Sequence, residues 1–169
     1  MPSPRSADSA TQNIAALTQA IPSQARRLLH VGCGAGRLGA LLKQLDPQRT
    51  VFGVEVDPNA VDQAREVLDD VFLLQSRAQI PSLEPRSSDC IVFDEVLERW
   101  INPWETFRRY CSLLSSEGIL LCRIANVQHH SLLGALLNGD FQYQPRGLLD
   151  KRHLRFFSWS TVYKLDDVR

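Results

Sequence analysis

Three glycines at alternate positions, Gly32, Gly34 and Gly36, directly follow the apolar run Arg27-Leu28-Leu29-His30-Val31. Glycine there lets the backbone approach a ligand closely, and a helix opening just beyond offers its free N–H groups. About twenty residues on, Glu55 closes a second apolar run, where a carboxylate can accept hydrogen bonds from both hydroxyls of a ribose. These types and spacings describe a holder for a nucleoside-bearing cofactor. Later in the chain, His153 and His129 carry the imidazoles that could take up a proton near neutrality. His153 equally suits the fixing of a lid through backbone carbonyls, and His129, beside His130, suits a polar loop. Arg155 offers a planar fork to a phosphate or carboxylate, or to Asp150 nearby.

The elements that must position these groups follow from hydrophobic periodicity. Residues 1–12, rich in Ser, Pro and Ala, read as a mobile tail, and Ile14, Leu17 and Ile21 start a helix that ends near Pro22. After the strand at 27–31 and the glycine turn, Leu38, Leu41, Leu42 and Leu45 recur at helical spacing. Residues 50–55 form a second strand, and Asp57-Pro58 opens a helix carrying Val61, Ala64, Val67 and Leu68 inward. Residues 71–74 read as a third strand and 90–93 as a fourth, covered on both faces. Asn102-Pro103-Trp104-Glu105 has an N-cap, a proline at the first helical position and a capping-box Glu. It starts a helix with Phe107, Cys111 and Leu114 on one face, ended by Gly118 before a fifth strand at 119–124. Leu132, Leu133, Leu136 and Leu137 suggest a short helix, and Ser158 or Ser160 caps a last one. This alternation predicts an α/β fold, a doubly wound, Rossmann-like, mainly parallel sheet flanked by helices, with ligands at the carboxyl ends of the strands.

The chain of 169 residues suits one domain, here 13–169 behind the tail. Lys+Arg and Asp+Glu balance at 19 each, which removes the electrostatic case for nucleic acid as a partner. No apolar stretch is long enough to span a bilayer, and no signal-like segment opens the chain, so a cytoplasmic protein is expected. Four scattered cysteines lack metal-ligand spacing, so neither zinc nor disulfides are expected. The clustered aromatics Trp100, Trp104, Trp159, Phe156 and Phe157 read as core before they read as a wall for a sugar ring.

The glycine segment fits two cofactors. Gly32, Gly34 and Gly36 spell the G-x-G-x-G turn of S-adenosylmethionine sites, whereas Gly34, Gly36 and Gly39 spell the G-x-G-x-x-G of dinucleotide folds. From this turn onward, through Val54-Glu55-Val56-Asp57 and residues 89–98, the chain resembles class I S-adenosylmethionine-dependent methyltransferases. Asn126-Val127-Gln128-His129 and residues 147–157, with His153-Leu154-Arg155-Phe156-Phe157, resemble a subgroup associated with sugar and polysaccharide pathways.

The resemblance implies that the backbone of Gly32, Cys33, Gly34 and Gly36 lies along the methionine part of S-adenosylmethionine, that Glu55 holds the ribose and that Val56 packs on the adenine. It sets Gln75 or Ser76 near the adenine amine and Asp94 and Glu95 beside the sulfonium. His30, Gln75-Ser76 and Arg99 depart from the family pattern, which commonly has acidic residues at the first two places and His at the third. The implied activity is methyl transfer to oxygen of a small molecule or glycan precursor. A module that binds without turnover and a nicotinamide-dependent dehydrogenase are the alternatives. The resemblance also implies two further C-terminal strands, absent here, which would leave the fifth strand as an apolar edge open to self-association.

Overall fold

A computed structural model describes residues 4–77 and 79–165. Five strands, β1 Arg27–Val31, β2 Thr50–Glu55, β3 Asp70–Leu73, β4 Ser88–Asp94 and β5 Leu114–Arg123, make one sheet in the order β3-β2-β1-β4-β5, with every neighbouring pair parallel. The helices are α1 Pro4–Ala20, α2 Arg37–Leu45, α3 Pro58–Arg65, α4 Pro103–Cys111, α5 His130–Leu137 and α6 Trp159–Tyr163. This is the doubly wound sheet that the alternation of elements predicts.

Side chains alternate across the sheet, as strand geometry requires. Leu28, Val51, Cys90 and Val92 pack with Leu17 of α1, Leu38 and Leu42 of α2, and Val61 and Ala64 of α3. Leu29, Val31, Val54, Ile91 and Phe93 point to the other face, against Phe107 and Tyr110 of α4 and against Phe157 and Leu165 from the last part of the chain. Trp100, stacked on Tyr110, and Phe157 lie in this second core, as their reading as core residues requires, whereas Trp159 is 67% exposed and meets Tyr163 on its own helix. In register, Val31 stands level with Val54 on one side and Phe93 on the other, so β1, β2 and β4 deliver their following residues to one edge.

The helix starts are set locally. Asp57 accepts from the N–H of Asn59 ahead of Pro58, and Asn102 accepts from the N–H of Glu105 ahead of Pro103, while its amide donates to the Glu105 carboxylate. Ser158 caps α6 by accepting from Thr161.

Several boundaries differ from expectation. Helix α1 reaches back to Pro4, through most of the segment read as a tail; the alanines at 7 and 10 favour helix there, and residues 1–3 lie outside the described residues. Val67 falls beyond α3 and is half-exposed. Helix α4 stops at Cys111, and Leu114, expected on its face, opens β5 instead, because Ser88 pairs there and its N–H bonds Leu113. Gly118 is therefore inside β5. Ser88 pairs with Leu114 and Cys90 with Ile119, so β5 bulges between them, and a Cβ on Gly118 would stand 2.7 Å from the Leu114 side chain. Strand β5 is an edge among the described residues, with Ile119 38% exposed.

Gly39, the last glycine of the dinucleotide-like spelling, has a packing reason. A Cβ there would lie 2.3 Å from Leu68 and 2.9 Å from Val51, so α2 rests directly on β2. Gly39→Ala is expected to destabilise the fold by about 1–3 kcal/mol through overpacking, read as a lowered urea midpoint. An unchanged midpoint would show that helix and sheet can part without loss.

Candidate active site

The glycine turn crosses the carboxyl end of β1, where the sheet order reverses between β1 and β4. Gly32, Gly34 and Gly36 have φ of 79°, 52° and 78°, the left-handed region that side chains disfavour. At Gly32 space is the second constraint, since a Cβ would meet Val96 at 2.3 Å and the Asp94 carbonyl at 3.2 Å. The N–H groups of Gly32 and Cys33 both donate to Val54, at 2.9 and 3.2 Å.

Glu55 clasps this turn from β2. Its Oε2 accepts from Gly34 N–H at 3.0 Å and its Oε1 from Val56 and Asp57 N–H at 2.7 and 3.2 Å. A carboxylate offers about four lone-pair positions, so one remains for a ligand hydroxyl. Cys33 is buried beneath the turn, and burial, with Glu55 adding to it, pushes its thiol up to about 12. Burial likewise raises Cys90 to about 11.

Two clefts flank Gly32. The first is lined by Gly32, Glu55, Val56, Leu74, Arg77, Asp94, Arg99 and Trp100. The second, of about 640 Å³, is lined by His30, Gly32, Cys33, Gly34, Arg37, Asp94, Glu95, Arg123 and Arg146, among others. Of the residues singled out in the sequence, Gly32, Cys33, Gly34, Glu55, Val56, Asp94 and Glu95 come together here. Gly36 instead caps α2 and packs on Val67, Leu68 and Ala64. Gln75 and Ser76 line a neighbouring groove with Arg77 and Arg99, and their N–H groups point to the Gln79 side chain at 2.8 and 3.2 Å.

A charged cluster not singled out in the sequence as a unit forms the wall between the clefts. Arg123 of β5 donates to Asp94, and to Glu95 at 3.0 Å, while the buried His30 ring stands 3.7 Å from Asp94. Burial would raise the Asp94 carboxyl, but His30 and Arg123 outweigh it and hold Asp94 below the usual carboxylate range. Glu95 has φ of 51°, a left-handed conformation fixed by its N–H bond to Arg123.

Neither candidate base lines either cleft. His129 caps α5, its Nδ1 taking the Ser131 N–H and lying 2.7 Å from the Ser131 hydroxyl. His153 is buried, with Nδ1 3.4 Å from the Leu148 carbonyl and its ring edge-on to Phe156. Asp150 pairs with Arg152, and at 4.0 Å with Arg99, rather than with Arg155, whose guanidinium donates to the carbonyls of Leu154 and Ile101. Glu98, which has no assigned role in the sequence, is fully buried: its Oε1 accepts from Ala125, its Oε2 has no hydrogen-bond partner, and its carbonyl takes the N–H groups of Leu154 and Arg155. A lone acid inside Val96-Leu97-Glu98-Arg99-Trp100, just past an apolar strand, was the available signal.

Residues 22–155 match a family model described as a methyltransferase domain. The chain belongs to the methyltransferase-domain family. S-adenosylmethionine is the methyl donor associated with this kind of domain. A trans-aconitate 2-methyltransferase of Escherichia coli is 32% identical over 91 residues, covering 53% of this chain and 35% of the relative. The chain thus spans about a third of the length of the curated relatives it matches. In fold it is similar to an S-adenosylmethionine-dependent methyltransferase from Archaeoglobus fulgidus (TM-score 0.70, 17% identity, 93% of this chain and 66% of that one). It is also similar to one from Thermotoga maritima described as a possible histamine N-methyltransferase (TM-score 0.67, 19% identity, 90% and 66%).

The methyltransferase domain's own residues fit such a donor. Gly34 lines the second cleft and a Cβ on it would meet nothing within 4 Å, while Glu55 keeps an acceptor site at the first. Among the described residues no group of His, Cys, Asp and Glu could hold a metal ion, and no helix is long and apolar enough to cross a membrane.

Burial holds the Glu98 carboxyl above its usual range, against the opposing bond from Ala125. The folded domain therefore binds this proton more tightly than the unfolded chain does, and the resulting stability is full below about pH 4.3 and lost as pH rises through the folded value. Glu98→Gln, which keeps an acceptor for Ala125, is expected to gain urea stability over the parent as pH rises from 4 to 7. A constant difference across that range would show that Glu98 titrates alike in both states.

Proposed function

We propose that this domain is an S-adenosylmethionine-dependent methyltransferase acting at an oxygen of a small molecule or glycan precursor. The observation that carries the reading is the meeting of Gly32, Glu55 and Asp94 at the strand-order reversal, with a cleft on either side. When bound, the cofactor supplies an electrophilic methyl group on a sulfonium. Glu55 would hold the ribose through its remaining lone pair, Val56 would pack against the adenine, and Gln75 or Ser76 would border the adenine edge. The backbone of Gly32, Cys33 and Gly34 would run along the methionine, with Gly36 setting the start of α2. Asp94 and Glu95, fixed by Arg123, would bias the second cleft beside the reacting centre.

Methyl transfer is an in-line displacement, so the domain contributes chiefly by alignment. We assign His153 to positioning residues 141–157 and His129 to capping α5. A dehydrogenase has little weight because residues 22–155 match a methyltransferase domain; the close packing of Gly39 on Leu68 and Val51 would serve a dinucleotide fold equally.

Calorimetric titration should show binding of S-adenosylhomocysteine, and Glu55→Ala should weaken it by roughly 1.5–3 kcal/mol, about 10- to 150-fold, through loss of charge-assisted hydrogen bonds. Equal affinity in parent and variant would remove Glu55 from the site. Binding without methyl transfer to any acceptor would favour a module without turnover.

His153→Ala should lower the urea midpoint and leave S-adenosylhomocysteine affinity within about threefold, because a buried polar ring is lost away from the clefts. A loss of turnover of about 10² to 10⁴-fold at unchanged stability would instead mark His153 as a general base.

A further inference from the structure

The first cleft adjoins two others. At one end Gly32 and Asp94 also line the second cleft, and at the other Arg77, Arg99 and Trp100 also line a groove of about 520 Å³. The acids of the first cleft are Glu55, which accepts from three N–H groups, and Asp94, which accepts from Arg123. The groove end carries cations instead. Arg77, just past β3, is exposed and has no ion-pair partner among the described residues. Arg99 ends the single turn Leu97–Arg99 and is half-buried; its paired carboxylate, Asp150, stands 4.0 Å away and is held more closely by Arg152. Burial, with Arg152 and Arg77 adding to it and Asp150 opposing, lowers the Arg99 guanidinium from its usual value. Beside them, the N–H groups of Gln75 and Ser76 are already taken by the Gln79 side chain, while the Gln75 amide and Ser76 hydroxyl can each donate or accept. Glu105, the carboxylate of the groove, accepts from the Asn102 amide at 3.0 Å and lies outside the cleft. Among the described residues, no carboxylate lines both cleft and groove.

We propose that Arg77 and Arg99 read the 6-position edge of the donor's purine, so that the site takes a 6-oxo base at least as readily as adenine. This rests on reading the first cleft as the seat of the donor's nucleoside. With the ribose on Glu55, the base extends away from Gly32, between the apolar Val54, Val56 and Leu74, and its edge arrives at the two arginines. A guanidinium has five N–H donors and no acceptor. Adenine's exocyclic amine also donates, so it makes no bond to either arginine and sets its hydrogens against a positive group. A 6-oxo group accepts. Together with N7 it presents two acceptors side by side, the edge that an arginine fork matches and by which arginine selects guanine over adenine in DNA. A carboxylate at this end would reverse the preference by accepting from the amine, and the groups present here are donors or ambivalent. The base takes no part in the displacement at sulfur, so the choice of base is a matter of binding alone.

The probes are S-adenosylhomocysteine and its 6-oxo analogue, S-inosylhomocysteine, titrated calorimetrically into this chain and into Arg77→Gln and Arg99→Gln. The parent is expected to bind the 6-oxo compound as tightly as the 6-amino one or more tightly. Each variant should shift the ratio of the two affinities toward the adenine compound by about fivefold, the low end of what a two-point arginine contact discriminates. Arg77→Glu, which places a carboxylate at an exposed position, should go further and make the adenine compound the tighter ligand. Arg77 variants serve as the control on folding, since that side chain is exposed and unpaired, and urea midpoints would be matched for all. Firm binding of S-adenosylhomocysteine with the 6-oxo compound more than threefold weaker in the parent would overturn the inference and leave the donor site standing. So would an unmoved ratio in both Gln variants with equal losses for the two ligands, which marks the arginines as structural. Binding of neither compound would remove the donor-site reading and this inference with it.

Discussion

Chain leaves β1 and β4 in opposite directions, because the crossover from β1 runs toward β2 and the one from β4 toward β5. No connection can close the gap between two neighbouring strands whose continuations diverge, and that gap is where a parallel sheet of this order must bind something. Everything distinctive in the molecule crowds it. Gly32 passes so close to Val96 and the Asp94 carbonyl that no side chain would fit, and both clefts open on either side of this contact.

Charge then fixes what topology brings together. The Glu55 carboxylate is shared among three N–H groups, one on the glycine turn and two at the start of the next connection, so the ends of β1 and β2 are tied through a single side chain. Across the gap, Arg123 ties the ends of β4 and β5 through Asp94 and Glu95, with His30 of β1 close behind. Four strand ends are thereby held by two clasps, one of carboxylate to backbone N–H and one ionic. Desolvation of such half-buried ions offsets much of their attraction, so the clasps add less to net stability than their short contacts suggest.

Features written in contiguous residues were legible in the sequence. The bounds of β1 and β2, the Asn102 cap, the helix start at Asp57-Pro58 and the glycine turn are local matters of type and period, and each holds in the structure. Gly118 misled because a glycine after a helical pattern looks like a C-cap, whereas the requirement it meets is set by Leu114 across a bulge in β5. The cluster of His30, Asp94, Glu95 and Arg123 had no sequence signature as a unit, since its members come from three strands brought level only by register. Glu98 is illegible in the sequence for a related reason: an acid near a helix start is ordinary, and its burial goes with the return of residues 154–155 onto its carbonyl.

Cys33 and Cys90 give this architecture two built-in clocks. The thiolate is the reactive form of cysteine, and thiols raised to about 12 and about 11 are almost wholly protonated at neutral pH as well as shielded from reagent. Alkylation of either must therefore wait for an opening event. Cys33 lies under the glycine turn, whereas Cys90 sits in the middle of the sheet with β1 on one side and β5 on the other. Cys33 accordingly keeps time for local excursions of the turn, and Cys90 for the rarer parting of the strands themselves.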